Sequence, residues 1–396
     1  MSTSDATPRV DPADYLDVDR LLTDDERGIR DVVRAFVRDR VLPDVADWFE
    51  AGTAPRDLFP ELGRLGLLGM HLEGYGCAGA SATAYGLTCL ELEAGDTAIR
   101  SMVSVQGSLA MFAIHRWGSE EQRRAWLPRM AAGEAIGCFG LTEPDSGSDP
   151  GSMRTHARRD GADWVLDGRK TWITNGSIAD VAVVWARCAH DDRVRGFLVP
   201  TDAPGFSAHR IHRKLSLRAS VTSELVLDDV RLPADAALPG VASLRGPLSC
   251  LNEARFGIVW GAIGAARACL ESALDYAGSR IQFGRPIAGF QIQQQKLARM
   301  ALEVNRGLLL ALHLGRLKDD GLLAPEHVSM GKLGNVDAAL DVARTARQIL
   351  GGNGITLGYP VMRHMANLET VVTYEGTADI HSLVVGHALT GLDAFR

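Results

Sequence analysis

The chain has 396 residues, of which 46% are apolar and 23% are charged. A chain of this length and composition can bury a large core and is expected to form two or three domains. Its formal net charge is −7, from 42 basic and 49 acidic residues without a basic block, which disfavours nucleic acid and anionic membranes as partners.

The cysteines and the N-terminus suggest where the protein resides. Six cysteines lie scattered along the sequence without a C-x-x-C pair, which favours reduced thiols over disulfides or a metal site. The N-terminal stretch MSTSDATPRVDPADY is polar and acidic, unlike a signal peptide. No apolar run is expected to reach transmembrane length. These features predict a cytoplasmic protein without membrane insertion.

Three regions of the chain differ in the spacing of their apolar residues. Residues 1–137 and 245–396 carry apolar residues at three- and four-residue intervals, which predicts helices. Residues 138–244 contain short β-rich runs, such as VAVVWARC and SELVLDDVRLP, separated by Gly, Pro and Asp. We predict an N-terminal helical domain, a middle β domain and a C-terminal four-helix bundle, an α+β fold that is mostly α. The lack of βαβ alternation disfavours a doubly wound nucleotide-binding fold.

Local signals predict where some of these elements begin and turn. Thr23 or Asp24 is predicted to cap the first long helix, and Ser119 to cap the helix that follows it in SEEQRRAW. The pair Asp167-Gly168 lies between two alternating stretches and predicts a β-hairpin.

The stretch TYEGTADIH places Glu375 directly before a predicted helix start, with Thr377 as the candidate N-cap. Carboxylates near a helix N-terminus are stabilised by the helix dipole, so a structural role is enough to explain Glu375. A catalytic role is the alternative, because perturbed carboxylates are common at active sites. This stretch alone does not decide between them.

Two stretches in the middle of the chain suggest a ligand. The loop CFGLTEPDSGSDP is rich in small residues, so its backbone N–H groups can approach a phosphate or a ring closely, although an interdomain turn has the same composition. In RKTWITNG, Trp172 and Thr174 are predicted on one strand face, either as β core or as a wall and a hydrogen-bond donor for a flat heterocycle.

Two stretches of the C-terminal region are ambiguous in the same way. The Gly-rich segment QILGGNG follows a helical run and lacks the G-x-G-x-x-G fingerprint, so helix termination is its default interpretation. In SRIQFGRPIAGFQ, Arg280 could clamp a pyrophosphate or form a surface ion pair. His381 has no visible partner and is interpreted as structural.

Together, in this order, these motifs resemble the acyl-CoA dehydrogenase family. The resemblance extends from about residue 20 to Phe395 and is carried by LTEPDSGSD, TWITNG, QFGRPIAGFQ, QILGGNGI and TYEGTADIH. It implies a fold of helical, β and helical domains that binds FAD between the β domain and the C-terminal helices. It also implies a homotetramer that passes electrons to electron-transfer flavoprotein.

The resemblance also implies which residues hold FAD. Leu141 and Thr142 would lie near the pyrimidine edge of the flavin and Thr174 beside N5, while Arg280 and Gln291 would bind FAD across a subunit interface. The full set implied for FAD is Phe139, Gly140, Leu141, Thr142, Ser148, Trp172, Ile173, Thr174, Arg280, Phe283, Gln291, Gln348, Ile349, Leu350, Gly351, Gly352, Thr377 and Phe395.

In this family the position of Glu375 is that of the catalytic base. By resemblance, its carboxylate removes the proton alpha to the thioester, and the β-hydrogen leaves as hydride to flavin N5. Such a base needs shielding from water and raised basicity. The developing enolate oxygen needs a donor, and the family uses the backbone N–H at this position together with a ribitol hydroxyl of the flavin.

One branch of the family, which oxidises and decarboxylates glutaryl-CoA to crotonyl-CoA, resembles this sequence more closely. HLEGYGCAGAS, RSMVSVQGSLAMF and NLETVVTYEGTADIHSLVVG carry that resemblance. It implies that Arg100 grips the distal carboxylate, because an unpaired guanidinium would be costly in a fatty-acyl pocket. The substrate-binding set it implies is Glu93, Arg100, Ser101, Ser104, Ser148, Arg255, Tyr374 and Gly376, with Ser148 and Arg255 toward CoA.

The sequence departs from that branch at Arg285 and at Met102-Val103 of the pocket helix. Arg285 is expected at the flavin edge or at a subunit interface, whereas the change at Met102-Val103 leaves open another acyl-CoA, such as a related dicarboxylyl-CoA, or an acyl-carrier-protein thioester as the substrate. A flavin oxidase or hydroxylase on the same fold is a further alternative, which would not need Arg100. A catalytically silent scaffold is the remaining one and predicts that Glu375 is dispensable.

Overall fold

The computed structural model describes residues 10–12 and 14–394. Its first part is helical, and the predicted caps are borne out where they can be compared. Thr23 caps α1 in a capping box with Glu26, and Ser119 does the same for α7 with Gln122. The helices of this part are α1 (Asp24–Phe36), α2 (Val45–Ala51), α3 (Leu58–Arg64), α4 (Ala82–Gly95), α5 (Thr97–Ser104), α6 (Phe112–Trp117) and α7 (Glu120–Ala131).

One continuous helical run, Thr97–Trp117, consists of α5, a π-helical segment (Val105–Met111) and α6. By length and composition this run could span a membrane, so the expectation that no apolar run reaches such a length is wrong. In the fold, 94% of its most apolar window is buried inside the protein. The run is therefore a core helix, and it carries Arg100, Ser101 and Ser104 into the interior.

The middle part is a seven-stranded sheet in the order β1-β4-β2-β3-β7-β6, with β5 paired to β4. β1 pairs in parallel with β4, and β3 pairs antiparallel with β7 over most of its length. The strands are β1 (Gly137–Gly140), β2 (His156–Asp160), β3 (Asp163–Thr174), β4 (Val181–Cys188), β5 (Val194–Pro200), β6 (Phe206–Arg210) and β7 (Thr222–Leu232).

The hairpin predicted at Asp167-Gly168 is wrong, because β3 continues through both residues. The register against β7 shifts between Leu166 and Gly168 instead, as in a β-bulge. Gly168 has φ +148, and a Cβ there would lie 2.4 Å from the Thr155 hydroxyl. Glycine is needed for close approach to the neighbouring segment rather than for a turn.

The last part is helical again, and its helices surround the long α10. α10 packs against α8, α9, α11 and α12, and α8 also packs against α4 of the first part. A small hairpin of β8 (Ile281–Gln282) and β9 (Arg285–Pro286) follows α8. The helices are α8 (Arg245–Ser279), α9 (Gln291–Asp319), α10 (Pro325–Leu350), α11 (Val361–Thr373) and α12 (Ala378–Thr390).

Candidate active site

The short connection between α11 and α12 carries Glu375 in a strained backbone conformation. Glu375 has φ +54, in the left-handed region that non-glycine residues seldom occupy, and Gly376 follows with φ +96. Such conformations persist only where the surroundings enforce them, and they are frequent at active sites. Thr377 caps α12 by accepting from the Ile380 N–H at 3.2 Å, so the expected cap exists beside the acidic residue.

Two cationic side chains hold the backbone of this connection. The Arg255 Nε donates to the Glu375 carbonyl oxygen at 2.6 Å. The Lys332 Nζ donates to the carbonyl oxygens of Tyr374 and Gly376, each at 2.6 Å. Arg255 was expected at the CoA portion, which stays a prediction, and the structure gives it this additional contact. Lys332 was not anticipated from the sequence.

The Glu375 carboxylate lies in a low-dielectric environment. Burial raises the pKa of Glu375, while Arg100, Lys332 and Arg255 oppose that effect, and the net direction is upward. Its Oε2 is buried and has no hydrogen-bond partner in the described part of the chain. A carboxylate with raised basicity and an unpaired oxygen is suited to accept a proton from a ligand.

Arg100 is fully buried, and two of its three guanidinium nitrogens donate hydrogen bonds to other side chains of the protein. Its Nε donates to Glu93 Oε2 at 2.6 Å, and its Nη2 donates to the Tyr374 hydroxyl. The Ser101 hydroxyl lies 3.2 Å from the same Tyr374 oxygen. Burial raises the pKa of Tyr374 to about 12, so its hydroxyl keeps its proton at neutral pH. Tyr374 therefore joins the arginine directly to the connection that carries Glu375.

Several polar atoms around Arg100 are buried without a partner among the described residues. They include Arg100 Nη1, Glu93 Oε1 and the Ser104 hydroxyl, together with Glu375 Oε2. Buried polar groups are nearly always hydrogen-bonded in proteins, so a cluster of unpaired ones implies a polar ligand. Unpaired guanidinium and hydroxyl donors are suited to a carboxylate.

Gly261 of α8 makes room for the buried ion pair and was missed by sequence reasoning. A Cβ at this position would lie 2.0 Å from Glu93 Oε2 and 3.2 Å from Arg100 Nε. A side chain of any kind would displace Glu93. The sequence gives no local signal for this role, since Gly261 is one of many glycines in an apolar helix.

β1 ends with Phe139 and Gly140, and the loop that follows it begins with Leu141 and Thr142. A buried lysine fixes this loop, because Lys170 Nζ donates to the Leu141 carbonyl at 3.0 Å and to Glu143 at 2.8 Å. The Thr171 N–H also donates to the Thr142 carbonyl at 2.9 Å.

The segment after Lys170 borders the same loop. Trp172 has φ +62 and is 62% exposed, whereas Ile173 is buried and Thr174 is half-buried. A register shift between Lys170 and Ile173 breaks the strand alternation that the sequence suggested for this stretch. The neighbouring loop is open, since a Cβ at Gly147 would meet nothing within 4 Å. An exposed indole next to an open loop is suited to contact a flat cofactor. Ser148 lies exposed in this loop.

The remaining residues expected at FAD lie on the surface of the C-terminal part. Arg280, Phe283, Gln291 and Gln348 are exposed, and none of them has a hydrogen bond or ring contact with the Glu375 group in the part of the chain that the structure describes. Ile349 and Leu350 are buried in the core, whereas Gly351 and Gly352 are exposed. Phe395 lies outside the described residues.

Two other residues singled out from the sequence have local contacts. The Arg285 guanidinium lies 4.2 Å from the centre of the Phe290 ring. His381 is buried, its Nδ1 is 3.1 Å from the Ser329 hydroxyl, and burial lowers its pKa to about 3. A neutral, buried histidine agrees with the structural role expected for it.

The family models of the acyl-CoA dehydrogenase N-terminal, middle and C-terminal domains match residues 23–134, 138–230 and 245–390, respectively. The chain belongs to the acyl-CoA dehydrogenase family. An acyl-CoA dehydrogenase of Bacillus subtilis (strain 168) is 37% identical over 376 residues, 93% of this chain and 99% of that protein.

Two solved structures of the family are more similar. A glutaryl-CoA dehydrogenase from Mycobacterium smegmatis is 66% identical with a TM-score of 0.95, covering 97% of this chain and 99% of that one. A glutaryl-CoA dehydrogenase of the same organism in complex with FADH2 is 62% identical with a TM-score of 0.96 and the same coverage. The expected family, the three-part fold and the FAD-dependent enzyme class are confirmed.

Proposed function

We propose that this acyl-CoA dehydrogenase oxidises glutaryl-CoA and decarboxylates the product to crotonyl-CoA and CO2. The observation that carries the proposal is the unpaired Nη1 of the buried Arg100 in the same site as the unpaired Oε2 of Glu375, since the two residues interact electrostatically and Arg100 binds the hydroxyl of the neighbouring Tyr374. The arrangement supplies a cation for one end of a dicarboxylyl thioester and a base for the other. The similarity to the two mycobacterial glutaryl-CoA dehydrogenases supports the same substrate.

Arg100 selects the distal carboxylate of the substrate. Its Nε donates to the Glu93 carboxylate, whereas its Nη1 has no hydrogen-bond acceptor in the described chain. The Ser104 hydroxyl also lacks a partner there. A fatty-acyl chain would leave these donors unsatisfied in an apolar environment, at a cost of about 1–3 kcal/mol for each group. A carboxylate satisfies them with charge-assisted hydrogen bonds.

Glu375 moves the proton. Its raised pKa and buried Oε2 equip it to remove the proton alpha to the thioester carbonyl. FAD, when bound, supplies the acceptor for the β-hydrogen, which leaves as hydride. On this chain, Phe139 to Thr142, Ser148 and Trp172 to Thr174 would hold the cofactor, with Arg280, Phe283, Gln291 and the 348–352 segment contributing from the C-terminal surface.

Decarboxylation follows from the same two residues. Loss of CO2 from the oxidised thioester leaves a negative charge that spreads to the thioester oxygen and is quenched by one proton. Glu375, protonated in the first step and shielded from water, is placed to return that proton. Arg100 positions the carboxylate until the bond breaks, while its hydrogen bond to the Tyr374 hydroxyl links Arg100 of α5 to the connection that carries Glu375.

Three further features remain proposals of the same kind. We propose a homotetramer, because several large apolar side chains of the C-terminal part are more than half exposed in the isolated subunit. These side chains are Ile281, Phe283, Ile292 and Leu302. Light scattering of the purified protein measures the assembly directly, and a monomer contradicts it. Electron-transfer flavoprotein as the acceptor and a cytoplasmic location stay predictions.

Mass spectrometry of the products formed from glutaryl-CoA with an artificial electron acceptor tests the function. Crotonyl-CoA and CO2 are expected. Glutaconyl-CoA as the end product would limit the activity to oxidation. A yellow protein that converts butyryl-CoA but leaves glutaryl-CoA unchanged would contradict the substrate and keep the family.

A further inference from the structure

Lys332 is a buried lysine that has no carboxylate partner among the described residues. It lies on α10 with 2% of its surface exposed, and no ion pair involves it in the described part of the chain. Burial of an unpaired charge is costly, so buried lysines are normally paired. This lysine instead donates hydrogen bonds to two backbone carbonyls, those of Tyr374 and Gly376.

The Tyr374 carbonyl belongs to the peptide group directly before Glu375, whereas the Gly376 carbonyl belongs to the peptide group that follows Gly376. Glu375 is held at φ +54, a backbone conformation that is strained for a non-glycine residue. Arg255 fixes the carbonyl between them, so three successive carbonyl oxygens are bound by two cations. The contacts from α8 and α10 thereby fix the backbone from which the Glu375 side chain extends.

We propose that Lys332 is a positioning residue for the general base Glu375, which it serves by fixing the left-handed backbone and by supplying a nearby positive charge. The inference rests on the proposed role of Glu375 as the base. It goes beyond that role because it assigns part of the ionisation and geometry of Glu375 to a residue of α10 that has no contact with the reacting atoms.

The charges around Glu375 agree in sign with this role. Burial lowers the pKa of Lys332 to about 7, and the attraction of Glu375 opposes that shift. Removing the lysine would remove one of the cations that hold the pKa of Glu375 down. The titratable groups that face this pair are Glu93, Arg100, Arg255, Tyr374, His381 and Cys89.

The test compares the pH dependence of kcat/KM for wild type, Lys332→Met and Lys332→Arg, each as the FAD-loaded enzyme. With Lys332→Met we expect the acid limb to move about one pH unit upward, because Glu375 becomes harder to ionise, and kcat to fall at least tenfold. Lys332→Arg keeps the charge and should return the acid limb toward the wild-type position. Lys318→Met is the matched control, since Lys318 is paired with Glu253, and its acid limb should stay in place.

An acid limb of Lys332→Met that coincides with wild type, in an enzyme that retains flavin, overturns the proposal. If Lys332→Met fails to fold, Lys332→Gln replaces it in the test. Glutamine keeps a hydrogen-bond donor for one carbonyl and removes the positive charge, so its acid limb is compared with that of wild type in the same way. All profiles are recorded with glutaryl-CoA and with butyryl-CoA. Wild type that turns over only butyryl-CoA contradicts the proposed substrate, while the shift between variants still tests Lys332.

Discussion

The guanidinium of Arg100 and the carboxylate of Glu93 form an ion pair with both side chains fully buried, the Nε lying 2.6 Å from Oε2. Such a pair gains little stability overall, because the cost of desolvation offsets the attraction. Its geometry leaves Nη1 of the arginine and Oε1 of the glutamate unpaired among the described residues. An incompletely satisfied buried pair agrees with the binding function proposed for Arg100.

Replacing Arg100 should therefore change substrate choice more than it changes chemistry. With Arg100→Ala we expect kcat/KM for glutaryl-CoA to fall about 100-fold or more, since each hydrogen bond to a charged group is worth about 1.5–3 kcal/mol. The value for butyryl-CoA should fall much less. Steady-state kinetics with both thioesters measures the ratio.

Arg267→Ala is the control for loss of a buried arginine. Arg267 binds Glu91 at 2.6 and 2.7 Å between α8 and α4, and it has no contact with the Arg100 group in the described structure. This variant should lose thermal stability and keep the substrate ratio. Equal losses for both thioesters in Arg100→Ala would contradict carboxylate recognition by Arg100.

Gly261 should affect selectivity although it is not expected to touch the substrate. Gly261→Ala places a methyl group 2.0 Å from Glu93 Oε2, so the glutamate must move and Arg100 loses its partner. We expect kcat/KM for glutaryl-CoA to fall at least tenfold, from about 1.4 kcal/mol or more of lost binding. Butyryl-CoA kinetics should change less.

Gly278→Ala is the matched control, because it makes the same substitution in the same helix at a position where a Cβ meets nothing within 4 Å. It should leave both substrates unaffected. Unchanged glutaryl-CoA kinetics in Gly261→Ala would show that Glu93 and Arg100 tolerate the added methyl group and would remove Gly261 from the selectivity set.

The sequence predicted the elements whose signals are local. The cap at Thr23, the helix start at Thr377 and the return of helical periodicity after the strands depend on neighbouring residues, and the structure contains them. Glu375 and Arg100 were found because the family resemblance connects distant stretches, and the structure brings them together through Tyr374. Their individual roles remain predictions.

The features that the sequence did not predict depend on contacts between distant segments. Lys332 resembles any lysine of an amphipathic helix until α10 is packed against the Glu375 connection. Gly261 acquires its role only from the approach of α4. The hairpin predicted at Asp167-Gly168 failed for the same reason, because the nearby Thr155 and the pairing with β7 override the local turn preference.

Thr174 provides a test of the flavin placement. With Thr174→Val, which removes the hydroxyl and keeps the shape, we expect the flavin absorption bands to shift and the rate of flavin reduction to fall about tenfold, the value of one neutral hydrogen bond. Thr201→Val, a half-buried threonine that donates to the Ala179 carbonyl at 2.7 Å, is the control. An unchanged spectrum and an unchanged reduction rate in Thr174→Val would place the flavin elsewhere.

Glu375→Gln should abolish turnover while the enzyme keeps its flavin. A general base contributes about 10²–10⁴-fold, and glutamine has nearly the same size without the ability to accept the proton. In wild type, burial raises the pKa of Glu375 above its ordinary 4.5, so kcat/KM should decline as the pH falls through that raised value and the base becomes protonated. Stopped-flow reduction of the bound flavin by substrate, followed across pH, measures both effects. Turnover within threefold of wild type in Glu375→Gln, or a wild-type rate that stays constant down to pH 4.5, would mean that another group removes the proton.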